Sequence, residues 1–171
     1  MTWFRILQLV LGIYRADLHE VPPLVTLYEI VHTAVWTDTY PYDPSLLLTM
    51  AAYESHWDAR ATSWVDRHGV RHTGIWNSTE PPPFDLRRGG LYCGLTQATA
   101  TSWSDCLELR KLDVIFKRTT SELVSNLSEP GVKTLPQAVA AYRAGNNFRQ
   151  PGIIAKVRFL YRKAAKIRGY P

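Results

Sequence analysis

Several features that would fix a small domain from outside its own core are missing. Two cysteines, Cys93 and Cys106, are too few for a disulfide framework. They either pair in an oxidising compartment or remain two buried thiols, and the sequence leaves both open. No Cys/His quartet with zinc spacing occurs. His68 and His72 are four apart, but Gly69 between them marks a loop, so no metal is expected. No apolar run has the length of a membrane-spanning helix. The segment Ile6 to Tyr14 is interrupted by Gln8 and followed by Arg15-Ala-Asp17, without a small-x-small cleavage site. A packing helix is expected there, with no clear signal peptide. Internal repeats and low-complexity tracts are absent too.

Acid is scarce relative to base: 15 Asp and Glu against 20 Lys and Arg, a formal net charge of +5. Such a surface suits a polyanionic partner, whether nucleic acid, a membrane surface or a carboxylate-rich polymer such as bacterial cell wall. A nucleic-acid reader needs basic residues gathered on one helix face with side chains placed to reach base edges. No such set stands out, and the basic segment from Arg158 to Arg168 reads as a solvated helix face. With 171 residues, 46% hydrophobic and 20% charged, the chain is long and apolar enough for one domain with its own core.

Helical spacing dominates the pattern. Trp3, Ile6, Leu7, Val10 and Tyr14 mark a first helix. A second apolar stretch runs from Pro22-Pro23 to about Trp36. Asp43 and Pro44 supply an N-cap and a first-turn proline for a third, carrying Leu46, Leu47, Met50 and Ala51 and ending near Trp57. Leu112 to Leu127 form a fourth. Thr134 and Pro136 open a fifth that stops at Gly145, and a sixth covers about 152 to 168. Residues 64 to 92 interrupt this order with Gly69, Gly74, Pro81 to Pro83 and Gly89-Gly90. They are expected to be an insertion, a small β element or binding loop in which Val70 to Thr73 contribute to a hairpin. The predicted fold class is mainly α, with a small loop/β insertion.

One carboxylate stands out. Glu54 continues the spacing of Leu47, Met50 and Ala51, so it is expected on the buried side of its helix and close to the helix's carboxyl end. Burial and the helix dipole both disfavour its charge, which suits a general acid working near neutrality. The competing reading is a buried Glu neutralised by Arg or Lys as a structural pair.

Three segments in order shift that balance. Leu46-Leu-Leu-Thr-Met-Ala-Ala-Tyr-Glu54-Ser55-His-Trp57-Asp-Ala-Arg-Ala-Thr-Ser63 resembles the catalytic segment of the lytic transglycosylase family, relatives of goose-type lysozyme. Gly94-Leu95-Thr96-Gln97, followed by Thr99-Ala100, is similar to that family's Gly-Leu-Met-Gln and Thr-Ala. Ala140-Ala-Tyr142-Arg-Ala-Gly145-Asn146 is similar to its Ala-Tyr-Asn-Ala-Gly. The chain departs from the pattern at Thr96 for Met, Arg143 for Asn and Leu91 for Gly, and the gap between the first two segments is long.

The resemblance implies a lysozyme-like superfamily domain acting on peptidoglycan glycan strands, without metal or cofactor and as a monomer. Glu54 would be the catalytic acid and base. Ser63, Gly94, Leu95, Thr96, Gln97, Tyr142 and Asn146 would bind substrate, with the Tyr142 hydroxyl near Glu54 and Gly94 allowing the backbone close to the sugar. Trp57, Trp64, Trp76 and Trp103 offer flat surfaces, of which one or two are expected to stack on sugars. Two alternatives stand beside this reading. One is a goose-type hydrolase (muramidase) using Glu54 with Asp66 or Asp85. The other is an inactive glycan-binding virion component. Action at the cell wall, periplasmic or extracellular, fits a phage-encoded or secretion-associated enzyme.

Overall fold

The computed structural model describes residues 2–169. Among them the chain is mainly α: seven α-helices and one four-stranded antiparallel sheet. The helices are α1 (Thr2–Arg15), α2 (Leu24–Trp36), α3 (Pro44–Ser55), α4 (Trp103–Glu108), α5 (Leu112–Asn126), α6 (Leu135–Ala144) and α7 (Pro151–Arg168). The strands β1 (Ala61–Val65), β2 (Arg71–Ile75), β3 (Leu91–Cys93) and β4 (Ala98–Ala100) lie in the order β2-β1-β3-β4.

α3 is the axis of the core. Residues Ser45 to Ala52 are all buried, on every side of the helix. An all-round apolar helix sits inside a domain and not on its rim, so α3 has no single buried stripe of the kind expected from Leu47, Met50 and Ala51. Its start follows local chemistry: the Asp43 carboxylate accepts from Ser45 N at 2.8 Å and Pro44 opens the first turn. It stops at Ser55, two residues before the expected end, because His56 and then Trp57 turn left-handed (φ 53° and 66°).

The sheet begins before the expected insertion and outlasts it. β1 is wholly buried and pairs with β2 through Ser63↔Thr73, and with β3 through Ser63↔Tyr92. The β1–β2 turn is held by Asp66, whose carboxylate accepts from His68 N and Val70 N and lies 2.9 Å from His72 Nε2. Gly94 to Gln97, expected as one of three recognition segments, is the turn between β3 and β4. A disulfide joins Cys93 to Cys106, resolving the two possibilities open in the sequence and tying β3 to α4. α4 itself was not among the six expected helices.

α1 forms over the expected span but presents a different face to the core. Ile6, Leu9, Val10 and Ile13 are buried, while Trp3, Leu7 and Tyr14 of the expected packing stripe are exposed. It packs against α7, where Gly12 leaves room for the Ile167 carbonyl; a Cβ at that position would collide with it.

Candidate active site

The carboxyl ends of α3 and α6 converge on the sheet around an open cleft of about 500 Å3, lined by Glu54, Ser63, Arg71, Thr73, Tyr92, Thr96, Gln97, Tyr142, Arg143, Ala144 and Gly145. The sheet register explains one wall. Thr73, Ser63 and Tyr92 sit directly opposite one another on three adjacent strands, so their side chains share a face. Arg71, two residues along β2 from Thr73, sits on the same face and lays its guanidinium over the Tyr92 ring at 5.6 Å.

Gln97 clamps this wall. Its amide nitrogen donates to the carbonyls of Ala61 (2.9 Å) and Gly94 (3.1 Å), and its Oε1 accepts from Ser63 Oγ at 2.8 Å. Ser63 Oγ also lies 3.2 Å from Thr73 Oγ1. Both donor protons of Gln97 are thereby used within the protein, which makes it a positioning group. Gln97 has φ +56°, so with His56 and Trp57 three strained non-glycine residues border the cleft-forming segments. Such conformations cost about 1–3 kcal/mol each and persist where the surroundings hold them, as they do at functional sites.

Thr96 is fully buried, and its hydroxyl pairs with that of Thr119 on α5, which in turn donates to the Ile115 carbonyl. A hydroxyl where the resembling family has Met therefore has a matching partner. Tyr142 lines the cleft, but its hydroxyl donates to the Thr96 carbonyl at 3.0 Å and not to Glu54. Burial, and then the Glu122 carboxylate, push the Tyr142 phenol well above its ordinary value, so it stays a neutral donor. It fixes the 94–97 turn against α6.

Glu54 pairs with Arg143. The Glu54 Oε1 and Arg143 Nη1 atoms form an ion pair, and each side chain is 19% exposed. Both helices point their negative ends at the cleft, and a guanidinium there offsets both dipoles. Burial lowers the Arg143 guanidinium below its usual range, and its Nε has no hydrogen-bond partner. The charged partner expected under the structural reading of Glu54 is thus present, at the position where the resembling family carries Asn.

Three expected substrate contacts lie elsewhere. Leu95 is fully buried core. At Gly94 (φ +78°) the close approach is to protein, since a Cβ would meet the Leu109 carbonyl. Asn146 is exposed on the short 3-10 turn after α6 and does not line the cleft. Nor do the four tryptophans. Trp57 is buried beside a separate cavity of about 960 Å3, Trp64 stacks on His72, and the indoles of Trp76 and Trp103 donate to the Glu80 and Thr79 carbonyls. Asp66 caps its hairpin turn, with its carboxyl held down at about 2 first by the His72 hydrogen bond. Asp85 pairs with Arg87. Among the described residues, Glu54 is the only carboxylate lining the cleft.

Arg71, Thr73 and Tyr92 carry no motif and follow only from strand register. Arg143 was visible as a departure from the family pattern. Comparison of the chain with protein-family models, with curated proteins and with solved structures found no match in any of the three.

Proposed function

We propose that this chain is a peptidoglycan lytic transglycosylase with a lysozyme-like arrangement of helices, cleaving the β-1,4 bond between N-acetylmuramic acid and N-acetylglucosamine. The observation that carries the reading is a single carboxylate, at the end of the core helix, facing an open cleft of hydroxyl, amide and guanidinium groups. Glu54 gives its proton to the glycosidic oxygen as the C1–O bond breaks. The C6 hydroxyl of the muramyl sugar attacks C1, and its proton returns to the Glu54 carboxylate, leaving a 1,6-anhydro end. An inverting hydrolase needs a second carboxylate across the bond, at roughly 6.5–9.5 Å. Neither Asp66 nor Asp85 lines the cleft, which favours the one-carboxylate route. The disulfide supports an oxidising destination such as the cell-wall space.

Arg143 must part from Glu54 during the cycle, because a carboxylate locked in an ion pair has no proton to give. An entering glycan that hydrogen-bonds the guanidinium in place of the carboxylate releases it.

The same ion pair favours a second reading, a glycan-binding module in which Arg143 locks Glu54 permanently. Glu54→Gln separates the two. The enzymatic reading expects release of soluble muropeptides to fall about a hundredfold or more, with pull-down on insoluble wall retained. No muropeptide release by the wild type, with wall binding intact, would establish the module.

A further inference from the structure

The surface furthest in character from the cleft is on α1. Trp3, Phe4, Leu7, Leu11 and Tyr14 are 69%, 75%, 56%, 46% and 54% exposed. Trp3, Leu7 and Leu11 recur at i, i+4 and i+8, so they form one ridge along the helix. Leu24 and Val25, at the start of α2, are exposed as well. With Trp3, Phe4, Leu7 and Tyr28 they line a groove of about 640 Å3 whose side chains are all apolar or aromatic. Exposed apolar surface on this scale marks a contact surface.

The neighbouring helix identifies the partner. α1 and α7 run antiparallel: Gln8 Nε2 donates to the Arg168 carbonyl at 2.6 Å, and Lys163 Nζ donates to the Ala16 carbonyl at 2.8 Å. Arg158, Arg162 and Lys166 are exposed on α7, again at i, i+4 and i+8; Lys166 lies alongside the carboxyl-terminal half of α1, and Arg162 and Arg158 carry a basic ridge on past its end. Neither helix contains an acid. Asp43, which reaches α1, is neutralised by Arg5 at 2.9 Å. An apolar ridge with aromatic ends, continued at its carboxyl end by a row of exposed cations, suits a helix lying in the plane of an anionic bilayer.

We propose that α1 and the start of α2 dock on an anionic lipid surface, with Trp3, Phe4, Leu7 and Leu11 entering the acyl boundary while Arg162 and Lys166 meet headgroup phosphates. No helix among the described residues is long and apolar enough to cross a membrane, so the contact is interfacial. It is independent of the chemistry assigned to Glu54.

The test is co-sedimentation of the full chain with phosphatidylglycerol-containing vesicles and with pure phosphatidylcholine vesicles, at low and high salt. Leu7→Glu/Leu11→Glu and Arg162→Glu/Lys166→Glu accompany the wild type, with circular dichroism to verify each fold. The wild type binds the anionic vesicles, weakens as salt rises, and loses roughly tenfold or more in either double variant. The proposal is overturned by absence of binding to anionic vesicles at low salt, or by equal binding of wild type and Leu7→Glu/Leu11→Glu. It is also overturned by a wild-type dimer in ultracentrifugation that Leu7→Glu/Leu11→Glu dissolves, which would make a second copy the occupant.

Discussion

On the sheet side of the cleft, Ser63 and Gln97 are tied into a closed set of hydrogen bonds, whereas on the helix side Glu54 faces Arg143 with the guanidinium Nε left unpartnered. The first arrangement fixes geometry, because each donor already has its acceptor and moving one group strands the others. The second is suited to exchange, because both members of the charge pair line the cleft, where an entering group can take the place of either partner. A site that must hold a sugar still while passing a proton needs one wall of each kind.

The contrast breaks most visibly at Gln97. Gln97→Ala removes three side-chain hydrogen bonds, two joining the 94–97 turn to β1 and one closing the turn on itself. At roughly 1 kcal/mol each, the expected loss is about 3 kcal/mol in chemical denaturation, with activity falling alongside. A loss within 0.5 kcal/mol would show that the clamp is not what holds this wall.

A smaller effect is expected on the helix wall. Arg143→Asn removes the cation that stabilises the ionised form of Glu54. A general acid works protonated, so the alkaline limb of the pH–rate profile should move to higher pH, with roughly several-fold more activity retained above the optimum. If Arg143 is only a structural tie, the variant loses stability and the limb stays in place.

The smallest effect lies outside the cleft. The Asp66 carboxyl is lowered from 3.8 to about 2 by its hydrogen bonds to His72 and to the turn backbone. Its contribution is fully present above the ordinary value and is lost as pH falls toward 2. Asp66→Asn should flatten the acid-unfolding curve over that window alone and leave muropeptide release near wild type. Loss of release in this variant would revive the two-carboxylate hydrolase.

Caps and breaks were the most readable part of the sequence. Asp43, Thr134 and Gly145 act through neighbours within four residues, so the starts of α3 and α6 and the end of α6 follow from local chemistry alone. Faces were less readable. α1 carries Arg5, Gln8, Gly12 and Arg15 on one side and is apolar over the rest, so spacing could not tell the apolar ridge facing the core from the one facing water. Glu54 was legible as a candidate, yet the stripe argument does not place it, since α3 is buried on all sides. The sheet wall was hidden because pairing register depends on contacts ten to thirty residues apart: Ser63 meets Thr73 and Tyr92 with no local signal. Leu95 and Thr96 belong to a turn packed inward, so only the conformation of that turn separates lining from core.

The most direct test of the central claim is the chemistry of the products. Purified peptidoglycan digested with the wild-type chain should yield muropeptides with 1,6-anhydro-muramyl ends, lighter by one water than hydrolysed ones and unchanged by borohydride. Reducible muramyl ends that take up hydride would contradict it, and would mean that water, activated by a second group, attacks in this cleft.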